Sequence, residues 1–65
     1  MRRWLVGARK AHGLTQKEIS ERLNIAQPSY WAYEVGKATP KPMTAKRIAS
    51  VLGIDWTRFY DDSAS

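Results

Sequence analysis

Tyr30 and Tyr33 stand three residues apart, and on a helix that spacing turns both toward one side. Gln27, Pro28, Trp31 and Ala32 then fall on the outward, N-terminal side. A short helix with one buried stripe and one contact-making side is a probe. An α-helix fits the major groove of DNA, about 12 Å wide, where each base pair shows its own pattern of donors and acceptors. Residue types suited to catalysis are sparse by comparison. His12 is the one histidine, there is no cysteine, six acids are scattered, and no glycine-rich loop could cradle a phosphate. No triad, metal shell or acid–base couple can be assembled from these, so the chain reads as no enzyme and as needing no metal or other cofactor.

Holding such a probe requires a second helix at a fixed angle, and the sequence supplies one. Thr15-Gln16-Lys17-Glu18 has the form of a capping box, with Leu14 before the cap and Ile19 at the fourth helical position as a hydrophobic staple. A helix is expected from Gln16 to about Leu23, with Ile19 and Leu23 facing inward. Asn24 tolerates a positive φ and marks a sharp turn. Pro28 suits an early helical position, so the probe helix runs from Pro28 to Glu34 or Val35 and stops at Gly36. Its cap is weak, because Ala26 and Gln27 are both disfavoured there.

Around this pair the chain reads as all-α. Residues 2–12 place Leu5, Ala8 and His12 at helical spacing ahead of Gly13. After the stiff connector 38–42, a helix from Pro42 or Met43 to Leu52 presents Ala45, Ile48, Ala49 and Leu52 and ends at Gly53. Asp55 caps a last short helical piece from Trp56 to about Tyr60. Residues 61–65 are expected to be a flexible tail on a single domain spanning 1–65.

Sixty-five residues make one small core, which a domain of this size supports only marginally. Three Trp, three Tyr and one Phe help, because rings bury much area each. Net charge is +5, unevenly spread: residues 1–54 carry ten Lys and Arg against three Glu, whereas 55–65 carry Arg58 against three Asp. A basic body suits a polyanionic partner. No apolar run reaches the roughly 20 residues of a membrane span, and Arg9 and Lys10 cut short the apolar run that follows Arg3. A cytoplasmic protein with no membrane partner is expected.

Four segments carry a family resemblance: Leu14-Thr15-Gln16-Lys17-Glu18-Ile19-Ser20, Leu23-Asn24-Ile25-Ala26-Gln27, Tyr33-Glu34-Val35-Gly36-Lys37 and Ala49-Ser50-Val51-Leu52-Gly53. Together they resemble the Cro/repressor-type, XRE-like helix-turn-helix regulators of phages and bacteria, over residues 2 to about 60. The ending from Gly53 to Phe59 is similar to regulators of Gram-positive phages and mobile elements. The resemblance implies a compact five-helix, lambda-repressor-like fold whose third helix reads double-stranded DNA. It implies base contacts from Gln27, Pro28, Trp31 and Ala32. Glutamine can bond adenine bidentately, whereas proline and alanine offer apolar contact to a thymine methyl. Gln16 and Lys17 at the start of the second helix, Lys37 and Lys41 after the third, and Arg2 and Arg3 would meet phosphates. Arg9 and Glu34 match a salt bridge joining the first helix to the end of the recognition helix. The sequence departs from the pattern at Asn24, where Gly is commoner, at Ala26, where Ser or Thr caps, and at Pro28 and Ala32, which remove hydrogen-bonding side chains.

The resemblance further implies a repressor that binds a palindromic operator as a homodimer, weak in solution and strengthened on the DNA, in a bacterial host and associated with its nucleoid. A protein-interaction module of the same fold, antitoxin- or antirepressor-like, is the alternative. Trp31 bears on both, as a DNA contact, a protein anchor or a fold-back packing residue. Lys10, Arg22, Lys46 and Arg47 read as solvated charges and His12 as structural. Trp56 reads as a lid over the core, with Phe59 and Tyr60 near an interface.

Overall fold

The computed structural model describes residues 1–61. It consists of α1 (Arg3–Ala11), α2 (Gln16–Leu23), α3 (Gln27–Val35), α4 (Pro42–Leu52) and a 3-10 helix, Trp56–Tyr60. The fold is all-α, with one difference from the expected five helices: the fifth element is a 3-10 helix. Five residues between Asp55 and Asp61 give one tight turn and a half, a length at which i→i+3 bonding is common. The tail expected over 61–65 lies, past Asp61, outside the described residues.

Local chemistry accounts for the boundaries. At the start of α2, Thr15 Oγ1 accepts from the Glu18 amide at 3.1 Å and Glu18 Oε1 accepts from the Thr15 amide at 2.8 Å. These bonds hold the Glu18 carboxyl below the usual carboxylate range, the backbone bond from Thr15 first. Asn24 closes the helix in the left-handed region at φ 56°, and the Ile25 amide returns to Ser20 O at 3.0 Å. This compact reversal fixes the angle between α2 and α3. Ala26 caps α3 without a side-chain bond, and α3 begins at Gln27. Gly36, at φ 89°, ends it and sends the chain back across the helix end, where the Ala38 amide donates to Ala32 O at 3.2 Å.

One core serves all five elements. Leu5, Ile19, Leu23, Tyr30, Ala45, Ile48, Leu52 and Phe59 are buried together, with Trp4, Leu14, Ile25, Tyr33 and Trp56 packed around them. Phe59 is 2% exposed and meets Trp4 edge-to-face at 4.9 Å. The expectation that Phe59 lies near an interface is therefore corrected: it is the C-terminal plug of the core. Tyr60 keeps an exposed ring while its hydroxyl donates to Pro40 O at 2.8 Å. His12 Nε2 donates to Leu52 O at 2.9 Å, tying the C-terminal ends of α1 and α4.

Candidate nucleic-acid interface

The buried side of α3 explains how its other side is held. Tyr30 is fully buried, and one turn later Glu34 is 2% exposed. A carboxylate this deep requires donors, and it has four. Arg9 reaches Glu34 Oε2 from Nε at 2.6 Å and Oε1 from Nη2 at 3.3 Å. Tyr30 donates its hydroxyl to Oε2 at 2.7 Å, and Gln16 donates Nε2 to Oε1 at 2.9 Å. Burial alone pushes the Glu34 carboxyl up; the bonds from Arg9, Gln16 and Tyr30 outweigh it and hold it below the ordinary value. The bond to Glu34 in turn raises Arg9, against the opposing effect of burial. Tyr30 is pushed far up, by burial first and by Glu34 second.

This hub joins three helices at one point. Arg9 comes from α1, Gln16 from the first position of α2, and Tyr30 and Glu34 from α3. Its consequence is mechanical, since the end of α1 and the start of α2 are bound to the inner face of α3. Arg9 also donates Nη1 to Leu14 O at 2.9 Å, bracing the α1–α2 connection. Among the described residues, no buried side-chain polar atom lacks a hydrogen bond.

The outer side is open. Gln27, Pro28 and Trp31 are exposed, and Ala32 is half-buried. Ser29, which sequence reasoning did not single out, is also exposed in the first turn of α3. Lys17 on α2 and Lys37 and Lys41 after α3 are exposed, as is Arg3. Lys37 Nζ stands 5.3 Å from the centroid of the Trp31 ring, within range of a cation–π attraction. Gln16 is partly buried, with one Nε2 proton given to Glu34, so at the surface it offers mainly its position at the N-terminus of α2.

Arg2 must be corrected as a phosphate contact. It is 7% exposed, and its guanidinium donates Nη1 to Tyr33 O at 2.6 Å and to Ala38 O at 2.8 Å, and Nη2 to Thr39 Oγ1 at 2.7 Å. Its amide donates to Glu34 O at 2.7 Å, and its charge lies 5.6 Å from the Phe59 ring centroid. Arg2 is a staple between the chain start, the end of α3 and the segment carrying Lys37 and Lys41. Local pattern could not reveal this, because these three acceptors lie more than thirty residues away. Arg47, read as a solvated charge, likewise donates Nη2 to Leu23 O at the end of α2. Lys46 and Arg58 cover Trp56 and Trp4, at 4.9 and 5.0 Å from the ring centroids.

Among the described residues, no three His, Cys, Asp or Glu side chains gather as a metal site, and no helix is long and apolar enough to cross a membrane.

A helix-turn-helix family model matches residues 7–59. The chain is 37% identical over 62 residues to an uncharacterized HTH-type transcriptional regulator, YqaF, of Bacillus subtilis, covering 95% of this chain and 82% of the relative. It is 42% identical over 45 residues to another, of Methanothermobacter thermautotrophicus, covering 69% and 65%. An SPbeta prophage-derived uncharacterized HTH-type transcriptional regulator of Bacillus subtilis, YonR, is 33% identical over 46 residues, covering 71% of this chain and 43% of the relative. No solved structure matches significantly.

Proposed function

The chain belongs to the XRE-type helix-turn-helix family, and on that premise we propose that it is a sequence-specific double-stranded-DNA-binding repressor. It inserts α3 into the major groove of a palindromic operator. The observation that carries this reading is the opposition of the two faces of α3: one clamped through Glu34 to both preceding helices, the other open at Gln27, Pro28 and Trp31. A probe must be rigid to discriminate, because a correct base contact is worth about 1–3 kcal/mol and looseness of the helix erodes it. Gln27 reads a base edge, with Pro28, Trp31 and Ala32 beside it. The N-terminus of α2 at Gln16 meets a phosphate, an interaction that the helix dipole favours.

Lys17, Lys37, Lys41 and Arg3 bind neighbouring phosphates. Two copies read half-sites about 34–36 Å apart, associating as a homodimer on the DNA. The protein works in the cytoplasm, at the nucleoid.

Gel-shift titration against genomic fragments, with competitor DNA and a salt series, tests this. If each protomer neutralises four phosphates, log Kobs should fall with log salt at a slope of about −7. A specific fragment should survive excess competitor. Binding that never rises above the nonspecific background would refute the repressor and leave the protein-interaction module as the reading to pursue.

A further inference from the structure

Among the described residues, the exposed large apolar side chains are Met1, Trp31, Met43 and Tyr60, and of these Trp31 alone lies on α3. It does not stand in isolation. Trp31, Ala32 and Val35 lie three, four and seven residues after Pro28, which makes one strip along the helix. Pro28 and Trp31 are exposed, and Ala32 and Val35 are half-buried. Gln27 is the one carboxamide beside this strip. The open side of α3 is thus built chiefly for apolar contact, on a helix flanked by lysines.

Lys37 sharpens that description. The turn at Gly36 returns the chain so that Lys37 Nζ lies 5.3 Å from the Trp31 ring centroid, while Trp31 remains 41% exposed. One part of the indole therefore holds a cation, and another part is open to a ligand. Lysine is depleted at the cores of protein–protein interfaces, so an ammonium seated on the aromatic argues against a protein anchor. A ligand that joins an apolar knob to a nearby anion satisfies both halves of the pair. In the major groove the apolar knob is the C5-methyl of thymine, and the anion is the adjoining phosphate.

We propose that Trp31 and Lys37 form one specificity unit that reads thymine C5-methyl groups, the indole packing on the methyl and the tethered ammonium bonding the neighbouring phosphate. This rests on the DNA-binding reading above and adds what that reading lacks, a chemical basis for base preference on a helix with few hydrogen-bonding groups. Lys37 then fixes position and adds charge, while Trp31 supplies the discrimination.

The test uses the full chain and a duplex site selected from a random pool, made once with thymine and once with deoxyuridine, which lacks the methyl alone. Wild-type affinity should fall about fourfold for each packed methyl removed, the value of one buried carbon group. Trp31→Ala should lose the share of this discrimination that comes from the methyl packed by the indole, keeping only what Pro28 and Ala32 contribute. Lys37→Ala should weaken both duplexes equally and make the salt slope shallower by about one for each protomer bound. Equal wild-type affinity for both duplexes on a tightly bound site overturns this proposal while leaving DNA binding intact, as does a Trp31→Ala variant that keeps the full discrimination. Failure of the wild type to select any site overturns the DNA-binding reading, and this proposal with it.

Discussion

Replacing Glu34 by alanine removes one side chain and strands three others. The carboxylate is 2% exposed and accepts from Arg9, Tyr30 and Gln16. After the substitution the Arg9 guanidinium, itself on a residue 9% exposed, keeps its bond to Leu14 O but loses its counter-charge. Stranding one partner of a buried pair costs about 3–5 kcal/mol. A chain of this length has roughly 3–10 kcal/mol in total, from about 0.05–0.15 kcal/mol per residue, so the loss takes a large share of the fold. Urea unfolding followed by tryptophan fluorescence should show a greatly lowered midpoint, with the slope unchanged if the folded and unfolded states keep their compactness. Glu34→Gln keeps the shape and one acceptor, and should lose less, about 1.5–3 kcal/mol for a charge-assisted bond. The sharper measurement is a cycle with Arg9→Met and Glu34→Leu. Buried ion pairs replaced whole by apolar groups are often near neutral, so the double variant should recover part of the single-variant loss, short of the bond that Leu14 O forfeits and of the acceptor that Tyr30 and Gln16 lose. Losses that simply add would refute the idea that Glu34 and Arg9 act as one unit.

Other expectations concern pH, the chain start and the turn. The Glu34 carboxyl is held below its ordinary value, so the unfolded chain binds its proton more readily than the fold does. Its contribution is then fully present above about pH 4.5 and is lost as pH falls through the lower folded value; urea midpoints from pH 7 to pH 3 should drop steeply for the wild type and less for Glu34→Gln, and parallel curves would contradict this. Arg2→Ala should cost about 1–3 kcal/mol by leaving partly buried carbonyls without a donor, and Arg2→Lys should recover little, because one ammonium cannot span Tyr33 O, Ala38 O and Thr39 Oγ1 together. A thermal midpoint for Arg2→Lys equal to that of the wild type would overturn the staple. Asn24, at φ 56°, predicts a loss of about 1–2 kcal/mol for Asn24→Ala and almost none for Asn24→Gly; equal losses would show that backbone conformation is not what the position requires.

What the sequence made legible was chiefly what is local. Thr15, Glu18, Leu14 and Ile19 define the start of α2 within six residues, and Asn24 marks its end, so both bounds of α2 can be read without coordinates. Tyr30 is assigned to the core by spacing alone. Gln27 begins α3 one residue before the proline that signals it. Distant pairings were less accessible. A charged residue next to the chain start reads as a surface group, and only folding brings the acceptors of Arg2 to it. Phe59 becomes core because Trp4, fifty-five residues earlier, offers its ring. The Arg9–Glu34 pair followed from family resemblance, since nothing in a separation of twenty-five residues specifies contact; the structure adds that Tyr30 and Gln16 share it. Lys37 over Trp31 was missed because the intervening Gly36 breaks the helical register by which neighbours are judged.

Backbone-amide and indole resonances followed during titration with a selected duplex test the placement of α3 most directly. A helix seated in the major groove should move the signals of Gln27, Ser29 and the Trp31 indole first and furthest, with Lys17 and Lys37 following. Perturbations gathered around Met43 or Tyr60, with the Gln27–Trp31 signals unmoved at saturation, would contradict it.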